Sequence, residues 1–289
     1  MMMSGKCRQG FSCSCAGANH LRTGKPCQDY SLHYSGNNMA IAAVADGHGG
    51  DAYIRSDRGA QFAAQCALEC IKEFIMTVRA KNINVASSPA AFLSQLEKSI
   101  IASWRLRVDA DLAADPAEGA VENGNSLSRI YGSTLIAAAA TESFWFGIQI
   151  GDGKCVVLNH DGSFNQPIPW DSNCFLNTTT SICDGDAAAR FRHFFSTSLP
   201  AGVFIGTDGV DDSYPVADNE EHLSNLYRMV ARNFMGAGFE QGFNELRAFL
   251  PRLTEKGSGD DVSIAGLIDM GALPGAFSNT RGEMIWADS

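Results

Sequence analysis

Long apolar runs, cysteine pairs and proline are the features that this chain of 289 residues has least of. No stretch reaches the roughly 18 apolar residues of a membrane-spanning helix, so we expect no membrane partner. The nine cysteines form no CxxC pair, which disfavours a secreted disulfide framework. The first residues also lack the apolar core of a signal peptide, and we therefore expect a cytoplasmic protein.

Positive charge is also in short supply. The 22 basic residues stand against 32 acidic residues, which gives a formal net charge of −10. Such a chain cannot neutralise phosphates broadly, so we expect no nucleic-acid partner. Acidic residues that no base neutralises are instead suited to binding a divalent cation. With 45% hydrophobic residues, the chain is globular, and its length and lack of a Pro/Ser-rich linker favour one domain.

The signatures of several common enzyme classes are missing. The chain has no GxSxG elbow, no GxxxxGK[ST] loop and no HExxH motif. Of the six histidines, only His48 lies in a Gly-rich acidic turn, and the other five are interpreted as surface or core residues. A site of carboxylates without a side-chain nucleophile favours metal-assisted hydrolysis.

Apolar periodicity predicts groups of adjacent strands with pairs of helices between them. The predicted strands cover residues 11–18, 29–34, 39–45, 133–140, 144–150, 154–158, 191–195, 203–206 and 262–268. The predicted helices cover residues 51–79, 89–113, 219–234 and 238–250. This order indicates packed antiparallel sheets with helix pairs outside, an α+β fold, rather than strict β-α alternation.

Three connections carry further predictions. The turn Gly151-Asp152-Gly153 between two strands is a hairpin signal. Residues 115–129 are polar and predict a surface loop. Residues 162–189 are rich in Asn, Thr, Ser and Asp, and we expect them to be irregular, to border the active site and to help select substrates.

Four turns beside apolar strands carry aspartate. They contain Asp46 (VADGHGG), Asp152 (IGDG), Asp208 (IGTDGVDD) and the pair Asp260-Asp261 (GSGDDVSIA). Glycine lets the backbone approach a metal closely, and hard oxygen ligands suit Mg²⁺ or Mn²⁺. Any single Asp-Gly is more often a plain turn. For the four together, a metal site and a set of plain turns both stay open.

Seven segments stand in an order that matches one enzyme family. They are GANHLRTGKPCQDYS (17–31), VADGHGG (44–50), SDRGAQFA (56–63), YGST (131–134), GDGKCVVL (151–158), TDGVDD (207–212) and GDDVSIAGL (259–267). The chain thus resembles the metal-dependent protein phosphatases of type 2C, in their bacterial branch. The resemblance implies a four-layer αββα sandwich of two antiparallel β-sheets flanked by helix pairs. We expect a phosphatase domain over residues 1–270 and a C-terminal tail over 271–289.

The resemblance also implies two Mg²⁺ or Mn²⁺ ions and the residues that bind them. Asp46 would bridge the two ions, and Gly47 would offer its backbone carbonyl to one of them. Asp208 and Asp260 would complete the ligand set of the first ion.

Further roles follow from the same resemblance. Asp152 and Asp212 match positions linked to a third, weaker ion. Asp29 and Gln28 match the pair that holds metal-bound waters, although Gln28 replaces a Glu seen in many members and removes one negative charge. His48 matches the general acid for the leaving alkoxide, a role that a pKa near neutrality would favour.

Thr134 and Asp261 would orient the ligands. The position of the family's phosphate-binding arginine is Gly24 here. Arg22 and Lys25 flank it, and both stay candidates for the phosphate contact. Arg22 is favoured because a guanidinium can bind phosphate through two hydrogen bonds.

These observations predict a metal-dependent serine/threonine protein phosphatase that hydrolyses phosphoserine and phosphothreonine with a metal-activated water. Its expected partner is a phosphorylated protein, made by a Ser/Thr kinase. Two alternatives stay open: a pseudophosphatase that only binds a partner, and a hydrolase of a small phosphorylated molecule.

Overall fold

Two five-stranded sheets form the centre of the computed structural model, which describes residues 8–117, 127–174 and 178–278. The strands are β1 (Arg8–Cys15), β2 (Asp29–Gly36), β3 (Met39–Asp46), β4 (Leu135–Ala140), β5 (Trp145–Ile150), β6 (Lys154–Leu158), β7 (Phe164–Asn165), β8 (Arg192–Ser196), β9 (Gly202–Gly206) and β10 (Val262–Asp269). One sheet has the order β1-β10-β9-β6-β7 and the other β2-β3-β4-β5-β8. All of these neighbouring strands are antiparallel, as predicted.

Helices cover the outer face of each sheet. The helices of the described ranges are α1 (Ala18–Thr23), α2 (Ser56–Ala80), α3 (Pro89–Ala114), α4 (Ala187–Arg190), α5 (Asp208–Asp211), α6 (Asn219–Ala237), α7 (Phe239–Lys256) and α8 (Leu273–Ala276). The pair α2 and α3 packs on the β2–β8 sheet, and the pair α6 and α7 packs on the β1–β7 sheet. The predicted αββα sandwich is therefore confirmed.

The apolar strand β3 explains why the layers stack in this order. Its side chains alternate between the two faces of the sheet. Met39, Ile41 and Ala43 belong to the core beneath α2 and α3. Ala40 and Ala42 belong to the core between the two sheets. Strand β4 repeats the pattern, and its small alanines let the sheets pack closely.

The hairpin predicted at Gly151-Asp152-Gly153 is wrong. Strand β5 pairs with β4 and β8, whereas β6 pairs with β9 and β7 in the other sheet. The turn therefore crosses from one sheet to the other. The glycines indicate a chain reversal, but both strands are apolar on both faces, and each finds its partners in a different layer.

Several boundaries also differ from the prediction: β1 covers 8–15 rather than 11–18, and α7 extends to residue 256 rather than 250. Helix α2 begins at Ser56 rather than residue 51, because the Gly-rich segment continues as a turn in which the Tyr53 N–H donates to the Gly50 carbonyl (2.8 Å). The predicted loop 115–129 runs into a 3₁₀ helix, Leu127–Tyr131, whose last two residues are buried. Residues 118–126 lie outside the described residues. Between residues 162 and 189, apart from 175–177, the backbone is mostly irregular, as predicted.

Burial continues past the predicted domain boundary at residue 270. Leu273 and Ala276 of α8 lie in the core that α6 and α7 form on their sheet. The rest of the predicted tail, residues 279–289, lies outside the described residues. None of the described helices combines the length and the apolar character that a membrane crossing requires.

Candidate active site

Aspartates from both sheets meet at one end of the sandwich. Asp46 ends β3 and pairs in register with Asp29, which begins β2. Asp152 lies in the β5–β6 turn, Asp208 begins α5 after β9, and Asp260 lies just before β10. Burial raises the pKa of Asp46 well above its usual range, and the charges of the other four carboxylates raise it further. These five residues therefore form one acidic cluster.

Two other members of the acidic cluster, Asp208 and Asp29, also have raised pKa values. Burial raises the pKa of Asp208 well above its usual range, and the nearby charge of Asp152 adds to the effect. Burial also raises the pKa of Asp29 to about 7, although a 2.7 Å hydrogen bond from the Thr207 hydroxyl partly offsets it. Carboxylates in this situation gain from a divalent cation, which neutralises the charges that repel one another.

Two buried oxygens support a cation and its bound waters at this place. Asp152 Oδ1 and Gln28 Oε1 are buried and have no hydrogen-bond partner among the described residues. Asp152 is a member of the acidic cluster, and the Gln28 backbone contacts Gly47 and Asp261 beside it, so both oxygens are placed to contact an ion or accept from its bound waters. The donor set is made of oxygen atoms, which is what Mg²⁺ and Mn²⁺ prefer. The residues present therefore fit the implied metal ions.

Thr134 fixes the backbone of Asp46. The Thr134 N–H donates to the Asp46 carbonyl (2.8 Å), and the Asp46 N–H donates to Thr134 Oγ1 (3.1 Å). Next along the chain, the Gly47 N–H donates to the carbonyl of Gln28 (3.1 Å), and Gly47 forms a β-bridge with Ser133. The end of β3 is therefore held on both sides, and the Asp46 carboxylate projects from a rigid backbone.

Asp261 connects the start of β10 to the segments that precede α1 and β2. Its Oδ1 accepts a hydrogen bond from the Gly17 N–H and its Oδ2 accepts one from the Gln28 N–H, both at 2.6 Å. Both oxygens are thus engaged by backbone N–H groups, while the neighbouring Asp260 is exposed. This arrangement agrees with the predicted orienting role of Asp261.

The sequence profile of one family, described as protein phosphatase 2C, matches residues 16–250. The chain belongs to the protein phosphatase 2C family. The comparison with curated protein sequences returned no match.

Solved structures of this family have the same fold. PppA, described as a key regulatory component of the type VI secretion system in Pseudomonas aeruginosa, is 17% identical, with a TM-score of 0.58 over 91% of this chain and 97% of PppA. Stp1 from Staphylococcus aureus, a serine/threonine phosphatase, is 14% identical, with a TM-score of 0.57 over 93% and 95%. The catalytic domain of the serine/threonine phosphatase PstP, solved with two manganese ions, is 14% identical, with a TM-score of 0.54 over 91% and 99%.

As a member of the 2C family, the chain is a phosphoprotein phosphatase, and the family's metal dependence agrees with the acidic cluster.

The TDGVDD segment, residues 207–212, contributes more carboxylates with raised pKa values than the sequence indicated. The Asp212 residue is exposed, but its carboxyl group is partly desolvated by the surrounding protein, and this, followed by the charge of Asp152, raises its pKa. Asp211, for which the sequence pattern indicated no role, lies 3.4 Å from the Lys154 ammonium, and burial raises its pKa to about 7.

The expectation of a pKa near neutrality for His48 is wrong. Burial lowers its pKa to about 4, the charge of Asp152 opposes this, and the charge of Arg129 adds to it. The ring packs edge-on against Tyr53, with centroids 4.7 Å apart, and the His48 backbone N–H donates to the Gly132 carbonyl (3.1 Å). His48 is therefore a neutral imidazole at pH 7 in the metal-free protein.

The two candidates for the phosphate contact lie at the end of α1. The Arg22 guanidinium donates to the Ala18 carbonyl (3.3 Å) and to Asn19 Oδ1, so it lies along its own helix. Lys25 is exposed, and its N–H donates to the His20 carbonyl (3.0 Å). The described contacts join neither cation to the acidic cluster, and their phosphate role stays a prediction.

His20 belongs to the site, whereas its sequence context predicts a surface or core histidine. Its Nδ1 lies 3.0 Å from Asp261 Oδ2. Ligand-type atoms of His20, Asp260 and Asp261 all lie within 4.8 Å of one another. The contact arises because α1 packs on the loop before β10, where the Asn19 N–H donates to the Gly259 carbonyl (2.8 Å). The only sequence signal is that His20 lies inside a family segment.

Proposed function

We propose that this chain is a Mg²⁺- or Mn²⁺-dependent phosphatase that hydrolyses phosphoserine and phosphothreonine in proteins. One observation carries the proposal: the acidic cluster unites carboxylates from five separate turns and strand ends of both sheets at one place. Carboxylates this close together repel one another, and a bound divalent cation offsets that repulsion. Phosphorylated products of a Ser/Thr kinase are the proposed substrates.

Some residues of the site would bind the ions, and others would orient waters or transfer a proton. When bound, two divalent cations supply an activated water and neutralise charge on the phosphoryl oxygens. Asp46, Asp208 and Asp260, with the Gly47 carbonyl, would hold these ions. Thr134 keeps Asp46 in place through its two hydrogen bonds.

Asp29 and Gln28 would orient the waters around the ions. Asp29 is fixed by the Thr207 hydroxyl, and the Gln28 amide is fixed by donating to Ser56 Oγ (2.6 Å). His48, with its lowered pKa, gives up a proton readily once it holds one, which suits transfer to the leaving alkoxide oxygen.

The test is the turnover of p-nitrophenyl phosphate and of a phosphothreonine peptide with Mn²⁺, with Mg²⁺ and with excess EDTA. We expect activity only with added metal. Asp46→Asn and Asp208→Asn should each lower kcat by about three orders of magnitude or more, because a ligand carboxylate is lost. The matched control is Asp161→Asn, which changes an exposed aspartate outside the acidic cluster and should keep wild-type turnover.

Three results would contradict the proposal in different ways. Full activity after chelation would exclude the metal mechanism. A folded, metal-binding protein with no turnover of either substrate would indicate a pseudophosphatase. Preference for phosphorylated metabolites over phosphopeptides in a side-by-side panel would indicate a small-molecule hydrolase.

A further inference from the structure

We propose that Thr180, Asp171 and Arg192 are positioning residues that hold the turn carrying Asp152. They would couple residues 162–174 and 178–189 to the weakest of the implied cation sites. The proposal rests on the proposed function, together with the third, weaker ion that the family resemblance implies at Asp152 and Asp212. It is built on a buried hydrogen-bond network next to Asp152 that the mechanism above leaves unused.

Thr180 connects the segment to the turn. The Gly151 N–H donates to Thr180 Oγ1 (3.0 Å), and the Thr180 hydroxyl donates in turn to Asp171 Oδ2 (2.9 Å). The exposed fractions are only 5% for Thr180 and 4% for Asp171. A hydroxyl that accepts and donates in the same buried place has one orientation, so it fixes the position of the Gly151 backbone.

Asp171 is itself held from several directions. Its Oδ1 accepts from the Asn173 N–H (2.9 Å) and from the Asn173 side-chain amide (2.7 Å). Its Oδ2 lies 3.8 Å from Arg192 Nε. Burial raises the pKa of Asp171, but the hydrogen bonds from Asn173 and Thr180 and the charge of Arg192 outweigh it and keep the pKa below its ordinary value. Thr180 therefore donates to a carboxylate that stays ionised.

Arg192 holds the other side of the same peptide. Its guanidinium donates to the Gly151 carbonyl and to the Pro169 carbonyl, the latter at 2.6 Å. Both backbone groups of Gly151 are thus satisfied by the network, the N–H by Thr180 and the carbonyl by Arg192. Arg192 begins β8, so the network also ties the turn to the sheet.

The position of this backbone decides where the Asp152 carboxylate lies. Asp152 Oδ1 is buried without a hydrogen-bond partner among the described residues, so side-chain bonds to that oxygen do not hold the group. Gly151 has φ +103°, and a Cβ there would come within 2.5 Å of the Thr134 side chain. The turn thus packs directly on Thr134, which holds Asp46.

Two consequences follow from this arrangement. Removing the Thr180 hydroxyl should loosen the weak cation site and leave the sites at Asp46 and Asp208 intact. A phosphopeptide that contacts residues 162–189 should also change the affinity of the weak site, and the cation should change peptide affinity by the same factor.

The test is Mn²⁺ binding by titration calorimetry, without substrate, for wild type, Thr180→Val, Thr180→Ser and Thr178→Val. Valine keeps the shape of threonine and removes the hydroxyl, serine restores it, and Thr178 is an exposed threonine two residues away. We expect Thr180→Val to weaken one low-affinity site about tenfold or more, with the tight sites unchanged, as for other supporting residues of metal sites. Thr180→Ser and Thr178→Val should bind as wild type does.

If Thr180→Val does not fold, Asp171→Asn provides the second variant, because it removes the carboxylate that accepts from Thr180. If Thr180→Val bound Mn²⁺ with wild-type affinity at every site, that result would overturn the proposal. So would a wild-type protein that binds only two ions, or a Thr180→Ser variant as weak as Thr180→Val. An inactive wild type whose third ion is lost in Thr180→Val would overturn the phosphatase assignment and support the positioning role.

Discussion

Asp29 and Thr207 join the two sheets at the acidic cluster. The Asp29 carboxylate begins β2 of one sheet, and it accepts a 2.7 Å hydrogen bond from the Thr207 hydroxyl, which follows β9 of the other. Thr207 Oγ1 also accepts from the Ser263 N–H (3.0 Å), so the hydroxyl is fully engaged. The distance between the two sheets at the site is therefore set by a buried hydrogen bond as well as by apolar packing.

The metal-free protein should lose stability as the pH rises. Asp29 and Asp211 have pKa values of about 7, and those of Asp46 and Asp208 are well above the ordinary value. The stability that these four carboxyl groups give the folded protein is fully present below about pH 4, the ordinary carboxyl pKa. It is lost as the pH rises through 7 and above. His48 acts in the opposite direction, because its pKa is lowered in the folded protein. The stability that the neutral imidazole gives is present above the ordinary histidine pKa of about 6.5 and is lost only below that pH.

The two effects separate between about pH 6.5 and pH 8.5, where only the carboxylates contribute a change. We expect the urea midpoint in EDTA to fall across this range and excess Mn²⁺ to remove the fall. The double variant Asp46→Asn, Asp208→Asn is the control and should show a flatter profile in EDTA. A metal-free midpoint that rises with pH would contradict the prediction.

Gly132→Ala should lower activity without unfolding the protein. A Cβ at Gly132 would lie 2.6 Å from the Tyr53 ring and 2.7 Å from His48 Cδ2, so both rings must move. We expect kcat for p-nitrophenyl phosphate to fall between about tenfold and hundredfold, because a shift of about 1 Å at a catalytic group has that effect. Gly185→Ala, where a Cβ meets nothing within 4 Å, is the matched control. Wild-type kcat in Gly132→Ala would remove His48 from the mechanism.

His20→Ala should weaken metal binding, because the ring no longer orients Asp261 beside Asp260. We expect Mn²⁺ affinity to fall about tenfold. His20→Asn should recover most of it, since an asparagine amide places its nitrogen near the position of Nδ1. Leu21→Ala changes an exposed neighbour on the same helix and should have no effect. Calorimetry checks all three, and an asparagine variant as weak as the alanine variant would argue against the orienting role.

Gln28→Glu should make the protein more dependent on its metal. The Gln28 amide donates to Ser56 Oγ (2.6 Å) and to the His48 carbonyl (3.3 Å), and a carboxylate cannot make the second contact. We expect a lower melting temperature in EDTA and Mn²⁺ affinity roughly tenfold higher, as one added charge a few ångströms away provides. Gln95→Glu, which adds the same charge at an exposed position of α3, is the control and should leave both quantities unchanged. Weaker Mn²⁺ binding in Gln28→Glu would contradict this prediction.

The sequence indicated most of the fold and the positions of the acids, for a physical reason. A strand such as β3 is apolar on both faces and ends at Asp46, and this pattern is local, so it can be seen without knowing what packs on it. The hairpin at Asp152 failed because turn residues indicate a reversal but not which strand becomes the partner. The same limit applies to His20, whose partner Asp261 comes from the other end of the chain.

The pKa of His48 could not be predicted either. A Gly-rich turn is usually exposed, and an exposed histidine keeps a pKa near 6.5. Here Tyr53 and Gly132 pack against the ring and bury it, and burial disfavours the charged form. This packing depends on the 3₁₀ helix at Leu127–Tyr131, which the sequence presents as polar loop.

Because Gly151–Gly153 crosses from one sheet to the other, metal binding depends on complete folding of the chain. Since each sheet supplies only part of the acidic cluster, no fragment of the nascent chain offers a complete binding place, and an ion engages fully only after both layers have closed. Starvation for divalent cations would leave like charges facing each other along one edge. Proteases should then cut first at the connections on that edge, before the outer helices are attacked.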